Sequence, residues 1–299
     1  NISESVKVHN YQVGFDSIKL LNHQFVIMAN KIGQFLGLNE IRNYKVFFKQ
    51  LFSEFLGTFL YMALVLSSGV GYGTNSPNVV IALANGLLVA TVVQIFGHVS
   101  GGHINPAVTV GALVCARIKL LKAVCYVIMH VLGSVAGAAV AYANSADTIR
   151  GHLGATLPYK YTTLGQVFIL EFLMTFLLVA VVLSVTDYNR GARGLGSSSL
   201  AIGLCVSGCL CSSLPYTGSL NPVRTLGPAV VMGIYDFHWV YWVGPLLGGL
   251  VAGVVYKLVL GVNPLLTTTG VLELLDPHPQ PQDSVSQDAY TPVCLIQGL

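Results

Sequence analysis

Six apolar runs divide this chain, at residues 47–70, 79–96, 120–143, 164–185, 200–214 and 239–260. A helix that crosses a bilayer needs roughly 20 apolar residues, and five of the runs reach or approach that length. The fifth in order, 200–214, looks short because Ser and Cys dilute it. Composition supports the same class. Of 299 residues, 54% are hydrophobic and 9% charged, against about 25% charged in soluble domains, and the mean hydropathy is +0.69. So little charge cannot clothe a surface that faces water on all sides. The expected class is an all-α membrane protein with the lipid bilayer as its surroundings. The net charge of +3 forms no basic stripe, so no nucleic-acid partner is expected. Residues 1–46, mixed and weakly amphipathic, read as a cytosolic N-terminal arm. Residues 47–261 read as the membrane domain. The Pro- and Gln-rich stretch 262–299 reads as a flexible cytosolic tail.

The runs fall into two matching halves, about 47–143 and 164–261. Glu54-Phe-Leu-Gly-Thr-Phe-Leu60 recurs as Glu171-Phe-Leu-Met-Thr-Phe-Leu177. An Asn-Pro pair stands 51 positions after the first glutamate, at Asn105, and 50 after the second, at Asn221. Repetition of both sequence and spacing marks an internal duplication. Three spans per copy is an odd number, so the second copy enters the membrane from the opposite side. Basic residues set the orientation. Lys45, Lys49, Arg117, Lys119, Lys122, Arg190, Arg193 and Lys257 fall on the side of the N-terminus, and Arg150 and Lys160 on the other. The positive-inside rule then puts both termini in the cytosol.

Two short apolar pieces fit none of the six spans: one from Asn105 to about Cys115, the other from Asn221 to about Met232. Each opens like a helix. Asn is a favoured N-cap, and Pro suits the first helical position, where its missing N–H costs nothing. Half-helices entering from opposite faces would meet with their positive dipole ends near the midplane. Asn amide hydrogens there can hold a water by its oxygen, which interrupts a proton wire, while the dipole ends repel cations.

At these residues a resemblance becomes plain. Gly97-His-Val-Ser-Gly-Gly-His-Ile-Asn-Pro-Ala-Val-Thr109 and Thr217-Gly-Ser-Leu-Asn-Pro-Val-Arg-Thr-Leu-Gly-Pro228 resemble the two signature loops of the aquaporin (major intrinsic protein) family, over about residues 48–261. The resemblance implies six transmembrane helices and two re-entrant half-helices in an inverted repeat. It implies a homotetramer in the plasma membrane with one pore per subunit, passing water and small neutral solutes, with no cofactor and no catalytic residues. The pore motifs are Asn105, Pro106, Ala107 and Asn221, Pro222, Val223. Arg224 matches the fixed cation of the family's narrow filter, and a structural salt bridge is the alternative for it. Glu54 and Glu171 match glutamates that hold the loops, and His98 and His103 fit loop-supporting positions. His130, in mid-span, reads as a satisfied core residue.

The filter is where this chain departs from water-selective members. The family's Phe on the second span is here Asn85. Its His on the fifth is Leu210, or Cys209 if counted back from Asn221, because the second loop is one residue short. The fourth filter position is Gly218 or Ser219. Loss of the His resembles a glycerol-conducting branch of insect channels and implies room for glycerol or urea. Thr225, Ala229 and the pair Tyr241-Trp242 match the water type instead. A low-flux structural or adhesion member of the same fold is the alternative function. The six cysteines form no C-x-x-C pair and read as packing residues with free thiols, not as metal ligands.

Overall fold

The computed structural model describes residues 23–28, 30–70, 78–187 and 196–261. Residues 71–77, Arg190 and Arg193, Cys294, the expected tail and the first 22 residues of the arm lie outside these. Among the described residues the regular elements are all helices, joined by turns and irregular loops. The longer elements are α1 (Tyr44–Ser67), α2 (Asn78–Ser100), α3 (Pro106–Val114), α4 (Leu120–Ala143), α5 (Leu164–Val185), α6 (Ser198–Ser213), α7 (Pro222–Met232) and α8 (Val240–Val255). Large apolar side chains point outward along the long helices, among them Leu64, Leu87, Ile128, Leu132, Leu173, Leu177 and Leu250. Such a surface belongs in lipid, since water-soluble proteins rarely expose contiguous apolar area on this scale.

Among the described residues, five helices are long and apolar enough to cross a membrane. The fifth span in order, α6, has 16 residues, or about 24 Å at 1.5 Å per residue. The sequence reading blamed dilution by Ser and Cys, but the helix itself is short. Ser197 caps its start by accepting from Leu200 N. Pro215 follows its last turn and cannot continue it. The chain then turns back as the loop that carries Asn221.

Packing follows the duplication. On α4, Gly133 and Gly137 meet α1 so closely that an added Cβ would lie 2.5 Å from Phe55 O and 2.5 Å from Phe59 O. On α8, Gly248 meets α5 in the register of Gly133, against Phe172 O, and Gly244 lies one turn earlier, against the Glu171 side chain. Small residues four apart let helix backbones approach inside a membrane, where dispersion and weak polar contacts replace the hydrophobic effect. Between the halves, α2 and α6 cross at Gly86 and Gly203, each against the other's carbonyl. The largest core cluster draws Met62, Leu66 and Ala138 from the first half and Leu178, Ile202 and Leu210 from the second. The inverted all-α architecture expected from the sequence is therefore present, with its pairing surfaces cut by glycine.

Candidate functional site

The two half-helices α3 and α7 begin at Asn105 and Asn221, both extended and both buried. Each Asn Oδ1 caps its own helix, accepting from Ala107 N at 2.8 Å and from Val223 N at 3.1 Å. Each Asn Nδ2 reaches across to the other loop. Asn105 donates to Leu220 O and Asn221 to Ile104 O, both at 2.9 Å. These reciprocal bonds join residues more than 100 positions apart. An amide NH2 has two hydrogens, so one remains on each Asn after the crossing bond. The carbonyls that accept are presented by left-handed residues, Ile104 at φ 46° and Leu220 at φ 56°. A β-branched residue there is strained, and strain of this kind persists only where surrounding contacts over-determine it.

Those contacts come from the repeated glutamates, both fully buried. Glu54 accepts from His103 N at 3.0 Å and Ile104 N at 2.8 Å. Glu171 accepts from Ser219 N at 2.9 Å and Leu220 N at 2.8 Å. Each carboxylate also takes a third bond: His130 Nε2 at 2.7 Å for Glu54, Thr217 Oγ1 at 2.6 Å for Glu171. A second brace repeats too. His103 Nδ1 lies 3.0 Å from Thr109 Oγ1, and Ser219 Oγ lies 2.7 Å from Thr225 Oγ1. Ser219 therefore stands in the place of His103. Its hydroxyl donates to Asn221 O at 2.9 Å, so both its donor and an acceptor site are used inside the loop. His98 is exposed at the end of α2, and no hydrogen bond ties it to the loop among the described residues.

Arg224 follows one turn into α7 and is 7% exposed. Its Nη1 donates to Gly154 O at 2.6 Å and Thr156 Oγ1 at 2.7 Å, both on the connection between α4 and α5. No ion pair to it occurs among the described residues, so the salt-bridge alternative finds no partner there. Its Nε is buried without a protein partner. Asn85, buried on α2, is held from two directions: Tyr61 OH donates to its Oδ1 at 3.0 Å, and its Nδ2 donates to Ile81 O at 2.7 Å. Leu210 is buried in the largest core cluster. A Cβ at Gly218 would lie 3.2 Å from Leu210 Cδ2, so the short second loop packs on that side chain. Val223 and Ala107 are both fully buried, and Ser134 Oγ hydrogen-bonds Val223 O.

Four of these partners carry no signal in the sequence: His130 fits a core histidine as well as a partner of Glu54, and Tyr61, Ser134 and Thr156 belong to no motif. The register gives no clue either: Gly133 corresponds to Gly248, so the place of His130 is taken in the second half by Pro245. Among the described residues no cluster of three or more His, Cys, Asp or Glu could hold a metal, and the five described cysteines are free thiols.

Known proteins are similar to this chain over most of its length. The model of the family described as major intrinsic protein matches residues 40–256. The lens fiber major intrinsic protein of Lithobates pipiens is 42% identical over 223 residues, 74% of this chain and 84% of that protein. Aquaporin-2 of Ovis aries is 43% identical over 216 residues, 72% of this chain and 79% of that protein. Among solved structures, the X-ray structure of the aquaglyceroporin from Plasmodium falciparum aligns with a TM-score of 0.64 at 26% identity, covering 72% of this chain and 97% of that one. The chain belongs to the major intrinsic protein family, a family of membrane channels and not of enzymes.

Proposed function

We propose that this passive, multi-pass membrane channel conducts water, admits small uncharged solutes such as glycerol or urea, and excludes protons and ions. The observation that carries the reading is the reciprocal pair of bonds from Asn105 to Leu220 O and from Asn221 to Ile104 O. It fixes two amide groups side by side where two helix N-termini meet, each with one hydrogen left to hold a water oxygen. A water so held turns its hydrogens away from its neighbour, and the two positive dipole ends disfavour cations. The similarity to aquaporin-2 supports water as the permeant, and the similarity to an aquaglyceroporin structure supports the wider solute range.

The filter in this reading lies at Arg224, Asn85 and Leu210. Arg224 offers donors and a fixed positive charge, which replaces part of water's hydration and repels cations. Leu210, where water-selective members carry His, offers an apolar wall suited to the carbon side of glycerol. Ser219 acts by bracing the loop, since its hydroxyl is already used there. The pore motifs Pro106, Ala107, Pro222 and Val223 start and seat the two half-helices. Residues 1–46 and 262–299 face the cytosol of the plasma membrane, and four copies assemble with one pore each.

Stopped-flow light scattering on proteoliposomes tests the proposal with water, glycerol and urea gradients. The chain is expected to raise water and glycerol permeability above empty vesicles. Leu210→His is expected to lower glycerol flux and keep water flux. No gain over empty vesicles for any of the three would sink the channel reading, and unchanged glycerol flux in the variant would remove Leu210 from the filter.

A further inference from the structure

Ahead of α1, the described residues within 23–36 are helical, and their side chains find almost no cover from the rest of the chain. Phe25, Met28, Ile32 and Phe35 are between 51% and 67% exposed. Their spacing of three, four and three places them on one stripe of a helix, at about 100° per residue. His23, Asn30 and Gln34 lie opposite, with the exposed Val26 and Ile27 between them, and Lys31 flanks the stripe. Four large apolar side chains in line have no reason to stay in water.

The root of this helix is fixed. Gly37 ends it in a left-handed turn at φ 77°, and a Cβ there would collide with the side chain of Lys119. Glu40 pairs with Lys122 at 3.3 Å. Just beyond, Phe47 and Leu51 are buried with Ile118, Ala123 and Tyr126. The arm helix thus starts from the end of the bundle where α1 and α4 meet. At that same end begins an outward line on α1, Tyr44, Phe48 and Phe52, exposed by 58%, 64% and 62%, which is the lipid-facing surface of the first span. A collar of Arg42, Lys45, Lys49, Lys119 and Lys122 surrounds it, with Glu40 among them.

We propose that residues 23–36 form an interfacial helix lying in the headgroup layer of the bilayer that the channel itself spans. Phe25, Met28, Ile32 and Phe35 dip to the acyl boundary, and Lys31 with the basic collar meets anionic headgroups. A short helix with a continuous apolar stripe, polar residues behind it and a lysine at its flank is the pattern that lies on a membrane surface rather than crossing it, and basic segments next to a span draw anionic lipid. Continuity with the lipid-facing line of α1 favours lipid over a second copy of the chain. Only the choice of leaflet rests on the orientation proposed above.

The test uses the full chain in vesicles of phosphatidylcholine and phosphatidylglycerol. Phe25→Trp, Phe35→Trp and Gln34→Trp are each compared with the parent, whose Trp239 and Trp242 give the baseline. Brominated acyl chains are expected to quench the added emission at 25 and 35 at least about threefold more than at 34, with acrylamide showing the reverse order. Equal acrylamide quenching at all three sites overturns the proposal, because the helix is then in water. Protection of 25 and 35 from both quenchers also overturns it, because protein then covers the stripe. A gap of the same size in pure phosphatidylcholine overturns the anionic-headgroup half. Proteolysis of the arm from outside intact cells reads the leaflet separately, so a wrong orientation and a wrong membrane contact give different results.

Discussion

In the first half of the molecule Glu54 takes amide hydrogens from His103 and Ile104 and a ring nitrogen from His130. In the second, Glu171 takes amide hydrogens from Ser219 and Leu220 and a hydroxyl from Thr217. The backbone bonds are the same and the third partner differs in type, in distance along the chain and in origin. His130 comes from a span, whereas Thr217 sits in the loop itself. The difference teaches what duplication conserves. A left-handed residue before each Asn needs two amides held in a fixed geometry, and a carboxylate one span away does this. The carboxylate's remaining lone pairs need only some donor, so each half has met that need in its own way. Function divides the halves further. Three residues past each Asn stand Val108 and Arg224, and only the second has a charge, held by Gly154 and Thr156.

Removing the shared anchor breaks the comparison most severely. Glu54→Ala and Glu171→Ala each strip three donors of their acceptor inside a buried site. An unsatisfied buried polar group costs about 1–3 kcal/mol, so each variant is expected to lose on the order of 3–9 kcal/mol. Thermal unfolding of purified protein measures it, together with yield. If the halves are equivalent anchors, the two losses agree within a kcal/mol or so. A variant that kept the parent melting temperature would show that its loop stands without the glutamate.

Next in size are the glycine seams. At Gly133 an added Cβ would meet Phe55 O at 2.5 Å, and its counterpart Gly248 is as tight against Phe172 O, but at Gly244, one turn before that counterpart, the nearest atom is Glu171 Cβ at 3.0 Å. Overpacking a tight contact costs about 1–3 kcal/mol. Gly133→Ala is therefore expected toward the top of that range and Gly244→Ala toward the bottom, both read as a fall in melting temperature. The reverse order would mean that the first half relaxes more easily than its geometry suggests.

The fold was largely legible before any coordinates, and the reasons are specific. Six runs, two glutamate repeats and two Asn-Pro pairs are local patterns, and each maps directly onto a helix, an anchor or a cap. The shortness of α6 was legible only as weak hydropathy. Its cause, the Ser197 cap and Pro215 sixteen residues of helix later, needed the structure. The crosswise Asn bonds were not legible, because nothing in residues 105 and 221 says which carbonyl each amide meets. Nor was the partner of His130, because one histidine in an apolar run looks the same whether it faces a carboxylate or a methyl group. Asn85 shows the limit most plainly. The motif around it placed it at the filter by resemblance, but its two bonds to Tyr61 and Ile81 follow only from packing.

A smaller effect separates the two half-helix starts. Ala107 and Val223 occupy matching places and are equally buried, so the extra methyl groups of Val223 pack against protein. Val223→Ala removes two of them, worth about 1.6 kcal/mol at ~0.8 each. Melting temperature is expected to fall by the corresponding few degrees while water permeability per channel stays level. A rise in unit permeability with unchanged stability would place Val223 on the pore wall.

The smallest predicted effect falls on selectivity, and it concerns a residue with no counterpart bond in the other half. Tyr61 donates to Asn85 Oδ1 at 3.0 Å, while Asn85 Nδ2 holds Ile81 O at 2.7 Å. Together these fix the amide plane, leaving one N–H free. Tyr61→Phe keeps the ring and removes only the hydroxyl, so the fold is retained and Asn85 gains a free carbonyl oxygen. One neutral hydrogen bond contributes about 1 kcal/mol, so the ratio of glycerol to water permeability is expected to move by no more than about fivefold. The direction follows from the donor count: if Asn85 lines the filter as proposed, a carbonyl freed there can accept a glycerol hydroxyl, so the ratio should rise. Asn85→Phe should move it the other way, because an aromatic ring both narrows the passage and takes away the acceptor. If Tyr61→Phe leaves the ratio unchanged while Asn85→Phe lowers it, Asn85 acts by size alone and the hydrogen bond from Tyr61 serves only the packing of α1 on α2.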